Sequence, residues 1–97
     1  MNAVEQRMTA LEKANRVRYG MARLKREVGS GQVKVSEAIW REEFPTMPIG
    51  DLIRAQHQWG PGRMRRLCQA VGVPETKPLG TLTTRQRDLI CELLGEA

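Results

Sequence analysis

From Ala3 to Val28 the chain contains no proline and a single glycine, Gly20. A stretch of that length with apolar residues at helical spacing specifies one long helix. In a chain of 97 residues this leaves room for one domain, or one small domain with an arm, whose small core is shared among a few helices. At about 100° per residue, Ala14, Val17, Met21, Leu24 and Val28 fall on one stripe, whereas Val4, Met8 and Leu11 fall on a different side. The apolar face thus changes phase near Lys13. The expectation is that the helix packs on the domain after Lys13, while residues 1–12 project, fray or use another contact.

The remaining chain is broken by turn residues. Gly29-Ser30-Gly31 ends the long helix. Ser36 is placed to N-cap a short helix from Glu37 to about Glu43, with Ile39 and Trp40 turned inward. Phe44-Pro45-Thr46-Met47-Pro48 is a linker. Ile49, Leu52, Ile53 and Gln56 give helical spacing to about Gln58, weakened at its start by Gly50. Met64, Leu67, Cys68 and Val71 mark the inner face of the next helix, with Gly72 as its C-cap. Residues 72–80 form a loop crossing the surface, from which Leu79 and Leu82 plug the core. Thr83 or Thr84 caps a last helix whose inner face is Leu89, Ile90, Leu93 and Leu94, and Gly95 ends it. No segment alternates as a strand does. The predicted fold is all-α: a long basic helix or arm over residues 1–28, then a compact bundle of about four short helices over residues 33–97.

Composition removes several functions. Only one histidine, His57, and two cysteines, Cys68 and Cys91, are present, without a C-x-x-C pair, so no zinc site assembles at the usual spacings. Both cysteines sit in apolar helical patterns and read as small buried side chains; free thiols fit a reducing cytoplasm. The start has no signal core, and no apolar run would span a bilayer. No cofactor motif occurs. Aromatic residues are limited to Tyr19, Trp40, Phe44 and Trp59, which disfavours folds that stack single-stranded bases. The formal net charge of +5, from 16 Lys and Arg against 11 Asp and Glu, favours a polyanionic partner.

The positive charge is unevenly distributed. From Lys13 to Arg26 the bases Lys13, Arg16, Arg18, Arg23, Lys25 and Arg26 occur without one acid, whereas a solvated helix face normally mixes signs. Between Leu52 and Pro74 there is again no acid, and the bases are Arg54, Arg63, Arg65 and Arg66; Lys77, Arg85 and Arg87 follow. Glu37, Glu42, Glu43 and Asp51 form an acidic region expected to face away from any polyanion. At the centre lies Trp59-Gly60-Pro61-Gly62-Arg63-Met64-Arg65-Arg66. Pro61 suits the first position of a helix, the helix start offers unpaired N–H groups and partial positive charge, and Gly60 and Gly62 let a phosphate approach the backbone. A plain connection between packed helices would use the same G-P-G; the surrounding arginines favour a phosphate seat.

From Ala10 to Leu94 the sequence resembles the actinobacterial, mycobacterial-type integration host factor family. The residues carrying the resemblance are Leu52-Ile53-Arg54-Ala55, Trp59-Gly60, Leu79-Gly80-Thr81-Leu82, Arg85-Gln86-Arg87, Leu89 and Leu93-Leu94. The resemblance implies a helix–two-turns–helix unit that binds duplex DNA with little sequence preference, bends or compacts it, and assists a phage integrase. Two departures weaken the DNA contact it implies. The loop that carries an arginine run in the family retains only Lys77 here, and Gly60-Pro61-Gly62 lacks the family's lysine.

The expected function is therefore that of an architectural, non-enzymatic protein of the cytoplasm and nucleoid, monomeric, binding double-stranded DNA by its phosphates. The residues expected to do so are Gly60, Gly62, Arg63, Arg65, Arg66, Lys77, Arg85 and Arg87, with Arg16, Arg18, Arg23, Lys25 and Arg26 as a second surface. RNA binding, as in a ribosomal protein sharing the two-turn unit, is the alternative; the ending Leu94-Gly95-Glu96-Ala97 lacks that relative's basic tail. Glycosylases with this unit use an N-terminal proline and a zinc finger, neither of which is present. A protein-interaction module acting through Val4, Met8 and Leu11 is the remaining possibility.

Overall fold

The computed structural model describes residues 3–95, with side chains described from Thr9 onward. Five α-helices follow one another: α1 (Ala3–Gly29), α2 (Val35–Ala38), α3 (Ile49–Arg54), α4 (Pro61–Val71) and α5 (Thr84–Leu94), with a 3-10 turn at Leu79–Thr81. No strand occurs among the described residues, and the all-α expectation holds. α3 packs on α4, α4 on α5, and α5 on α2, while the C-terminal part of α1 lies against α3.

Most of the core comes from residues at helical spacing, joined by Met47 from the segment expected to be only a linker. Ile39, Met47, Ile49, Leu52, Ile53 and Ile90 are fully buried, with Met64, Leu67, Cys68, Leu79 and Leu82 around them. Leu79 and Leu82 plug the core from the loop as expected. Gly72 and Gly95 close α4 and α5 in the left-handed conformation that favours glycine. Thr83 is the cap of α5: its hydroxyl accepts from the Gln86 amide, and the Gln86 side chain accepts from the Thr83 amide. This reciprocal pair satisfies two orphan donors.

Several expectations require correction. α1 does not pack from Lys13 onward. Every residue from Thr9 to Tyr19 is exposed, and burial starts at Gly20 and Met21, becoming complete at Leu24 and Val28. Gly20 is the contact point: a Cβ there would lie 2.7 Å from the Phe44 ring. Ala14 and Val17 continue the stripe but have nothing to cover them. The expectation about Val4 and Met8 lies outside the described side chains. α2 starts after Lys34, not Ser36, and lasts four residues; Trp40 is 45% exposed instead of inward. α3 ends at Arg54, and the chain turns before Gln58. In α5 the inner face runs through Ile90 and Cys91, while Leu93 is 50% exposed. Leu89 and Leu94 of the expected face are half-buried, and Leu94 packs against the core.

The loop expected to wander across the surface is instead clasped to the α2–α3 linker. Ile49 N–H donates to the Lys77 carbonyl and Gly50 N–H to that of Glu75, each at 2.9 Å; Leu79 N–H donates to Met47 and Gly80 N–H to Pro45, also at 2.9 Å. Pro48 and Pro78 face one another in an antiparallel bridge. The close approach explains Gly50, where a Cβ would lie 2.9 Å from the Glu75 carbonyl oxygen.

Candidate nucleic-acid interface

The α3–α4 connection sets the geometry. After Arg54 the chain makes a turn through Ala55 and Gln56, with Ala55 N–H bonded to Asp51 and Leu52 carbonyls. Gln58 then takes a φ of 66°, the only non-glycine residue with positive φ among those described. That conformation costs a side-chain-bearing residue about 1 kcal/mol or more, and it reverses the chain into Trp59 and Gly60. Gly60 is the N-cap of α4, extended at φ −86° and ψ 175°, and Pro61 opens the helix.

The start of α4 is electrically unsatisfied. No side chain caps it and no acid lies in its first turn. Pro61 brings no N–H, which leaves the amides of Gly62 and Arg63 directed outward, and Met64 N–H is the first to close back, on the Gly60 carbonyl at 3.1 Å. Helix N-termini ordinarily attract anionic side chains. Here the third residue of the helix is a cation, Arg63, with Arg65 and Arg66 just behind it. Neither Gly60 nor Gly62 needs to be glycine for the fold: their φ values are negative, and a Cβ at either would meet nothing within 4 Å. The bare backbone therefore faces solvent, where a phosphate would approach.

The arginines differ in what they already do. Arg63 lies over the Trp59 ring, its guanidinium carbon 3.9 Å from the centroid. Arg65 pairs with Glu75 at 3.1 Å, but both side chains are largely exposed, and surface pairs of this kind contribute only ~0–1 kcal/mol. Arg66 and Arg85 are exposed and unpaired among the described residues, and Lys77 is half-buried in the clasped loop. Arg87 is partly withdrawn into the fold. Its Nη2 donates to the Leu79 carbonyl at 2.9 Å, its Nε is buried without a partner, and it sits 5.6 Å from the Trp40 ring centroid. It serves the packing of α5 on the 3-10 turn, a role that its position beside Arg85 did not disclose.

The second group separates into two parts. Lys25 and Arg26 line an open cleft of about 390 Å³ with Asp51, Arg54 and Ala55, between α1 and α3. Lys25 bonds Asp51 at 3.6 Å, and Glu43 lines a cleft with Arg23 and Arg41, so neither acid faces away from the basic residues as expected. Arg23 pairs with Glu27 at 3.5 Å along α1. Arg16 and Arg18 stand on the exposed part of α1, where no other element touches them. Arg54, Trp59 and Gln58 are the members of the region that the sequence site omitted. Arg54 lay inside the acid-free run and Trp59 headed the central stretch, so both were identifiable there; nothing local marked Gln58.

No family model and no curated protein matches the chain. Among solved structures, the one titled "Structure of sIHF bound to an 8bp palindromic DNA" matches with a TM-score of 0.74 and 21% identity, covering 88% of this chain and 97% of that one. The chain has the fold of that integration host factor. No described helix is long and apolar enough to cross a membrane.

Proposed function

We propose that this protein binds double-stranded DNA by its phosphates, with little regard to sequence, and acts as an architectural, nucleoid-type factor. The observation that carries this reading is the start of α4: uncapped amides at Gly62 and Arg63, open space over Gly60 and Gly62, and Arg63, Arg65 and Arg66 around them. A helix start that recruits cations in place of a carboxylate is built for an external anion. Its likeness in fold to a protein solved on duplex DNA supports the same partner. Lys77 and Arg85 extend the contact, and Lys25, Arg26 and Arg54 add a second cationic edge. Two such edges on one monomer bend a duplex or bring two together, and in that way assist a recombinase such as a phage integrase.

Electrophoretic shifts on random duplex DNA, duplex RNA and single strands, each at several salt concentrations, test the proposal. Preference for duplex DNA, with log affinity falling against log salt at a slope near about −4 to −5 for roughly five neutralised phosphates, is the expected result. A flat salt response would overturn it, and preference for duplex RNA would transfer the same site to a ribonucleic partner.

A further inference from the structure

The apolar face of α1 is exposed from Ala10 to Val17. Ala10, Ala14, Val17 and Met21, flanked by Lys13 and Arg18, line an open groove of about 470 Å³. Val17 is 38% exposed, and no residue from Thr9 to Tyr19 is buried by another element. An isolated helix of this length is marginal in water, and an apolar stripe serves no purpose until something covers it.

We propose that this groove docks an acidic amphipathic helix of a partner protein. The occupant follows from the groove's own chemistry. Duplex DNA would engage the cations and leave the apolar floor of Ala14 and Val17 wet. A second copy would set Lys13 and Arg18 against their own like charges, and no acid lies between Lys13 and Arg26 to relieve them. Glu12 is on the opposite side of α1, at about 100° per residue. A helix with leucine-like residues along one face and carboxylates at both margins covers the floor and pairs both flanking cations. Recognition of this kind is helix-in-groove, with anchors at i, i+3, i+4 and i+7. This face is distinct from the α4 start, so the inference does not rest on DNA binding.

The test titrates the full chain into a labelled synthetic peptide carrying leucine on one helical face and glutamate along both flanks, followed by anisotropy. A twin peptide with lysine at the flanks serves as control. The glutamate peptide is expected to bind with a dissociation constant on the order of 10 µM, and the lysine peptide at least about tenfold more weakly. Val17→Glu and Ala14→Glu, both at exposed positions, should leave the melting curve unchanged and weaken peptide binding at least about tenfold. Failure of the glutamate peptide to bind, equal binding of the lysine peptide, or binding untouched by both variants overturns the proposal. So does a dimer in sedimentation equilibrium that Val17→Glu dissolves, because the occupant would then be a second copy.

Discussion

The guanidinium of Arg63 stacks on the ring of Trp59 at 3.9 Å, across the Gly60-Pro61-Gly62 turn. The contact attaches a cation to the residue that precedes the helix cap and makes Trp59 a reporter for the start of α4. Adding duplex DNA should change Trp59 emission, and Trp59→Phe should remove most of that change, since Trp40 sits against Arg87 and not Arg63. Arg63→Ala should weaken duplex binding about fivefold to tenfold, or ~1–1.4 kcal/mol, equally on unrelated sequences, as measured by anisotropy.

Glycines separate fold from function here. Gly50→Ala forces a Cβ against the Glu75 backbone and should cost about 2–3 kcal/mol in denaturant unfolding. Gly62→Ala meets nothing and lies inside a helix, so stability should stay level or rise by up to ~1 kcal/mol. Its duplex affinity should nonetheless fall about tenfold, because the added methyl occupies the space a phosphate would take. A Gly62→Ala protein that binds as tightly as wild type would remove the α4 start from the interface.

Glu75 pairs with Arg65 and, under the proposed function, is the rival of a phosphate for it. Glu75→Gln deletes that rival charge at a surface site, so duplex affinity should rise about twofold to threefold at low salt, with the gain shrinking as salt is added. Comparing dissociation constants at two ionic strengths checks it.

Arg85 and Arg87 should behave oppositely despite their proximity in sequence. Arg87→Ala loses the bond to the Leu79 carbonyl and should lower unfolding free energy by about 1–2 kcal/mol. Arg85→Ala should leave stability within about 0.5 kcal/mol of wild type and weaken duplex binding. Urea titration and anisotropy on the same pair of variants distinguish the two roles.

Cys68 gives the fold an alkaline weakness. Burial first, and then the charge of Glu75, push its thiol above the ordinary range, so the folded state holds the proton more tightly than the unfolded chain does. Its contribution is whole below the ordinary thiol pKa and declines as pH rises through that value toward the raised one. Urea midpoints at neutral pH and at pH about 10 should show a larger loss for wild type than for Cys68→Ala.

The chain displayed its helices through spacing and its ends through glycine, which is why α4, α5 and their caps were legible. Local patterns report apolarity, however, and not what lies opposite. Val17 continues the stripe of Leu24 yet stays wet, because nothing packs on α1 between Thr9 and Tyr19, and Phe44 meets the helix only at Gly20. The uncapped start of α4 was readable because Gly60, Pro61, Gly62 and the arginines are adjacent in sequence. The Lys25, Arg26 and Arg54 cleft was not, since its members lie on separate helices, and the inward turn of Arg87 depended on a carbonyl eight residues away.

The paired runs at Pro45–Gly50 and Glu75–Gly80 leave the segment bearing Lys77 no slack. Inserting or deleting one residue there would throw the facing amides and carbonyls out of step along the whole seam. Any strengthening of this edge toward a polyanion must therefore come by exchanging side chains at fixed length.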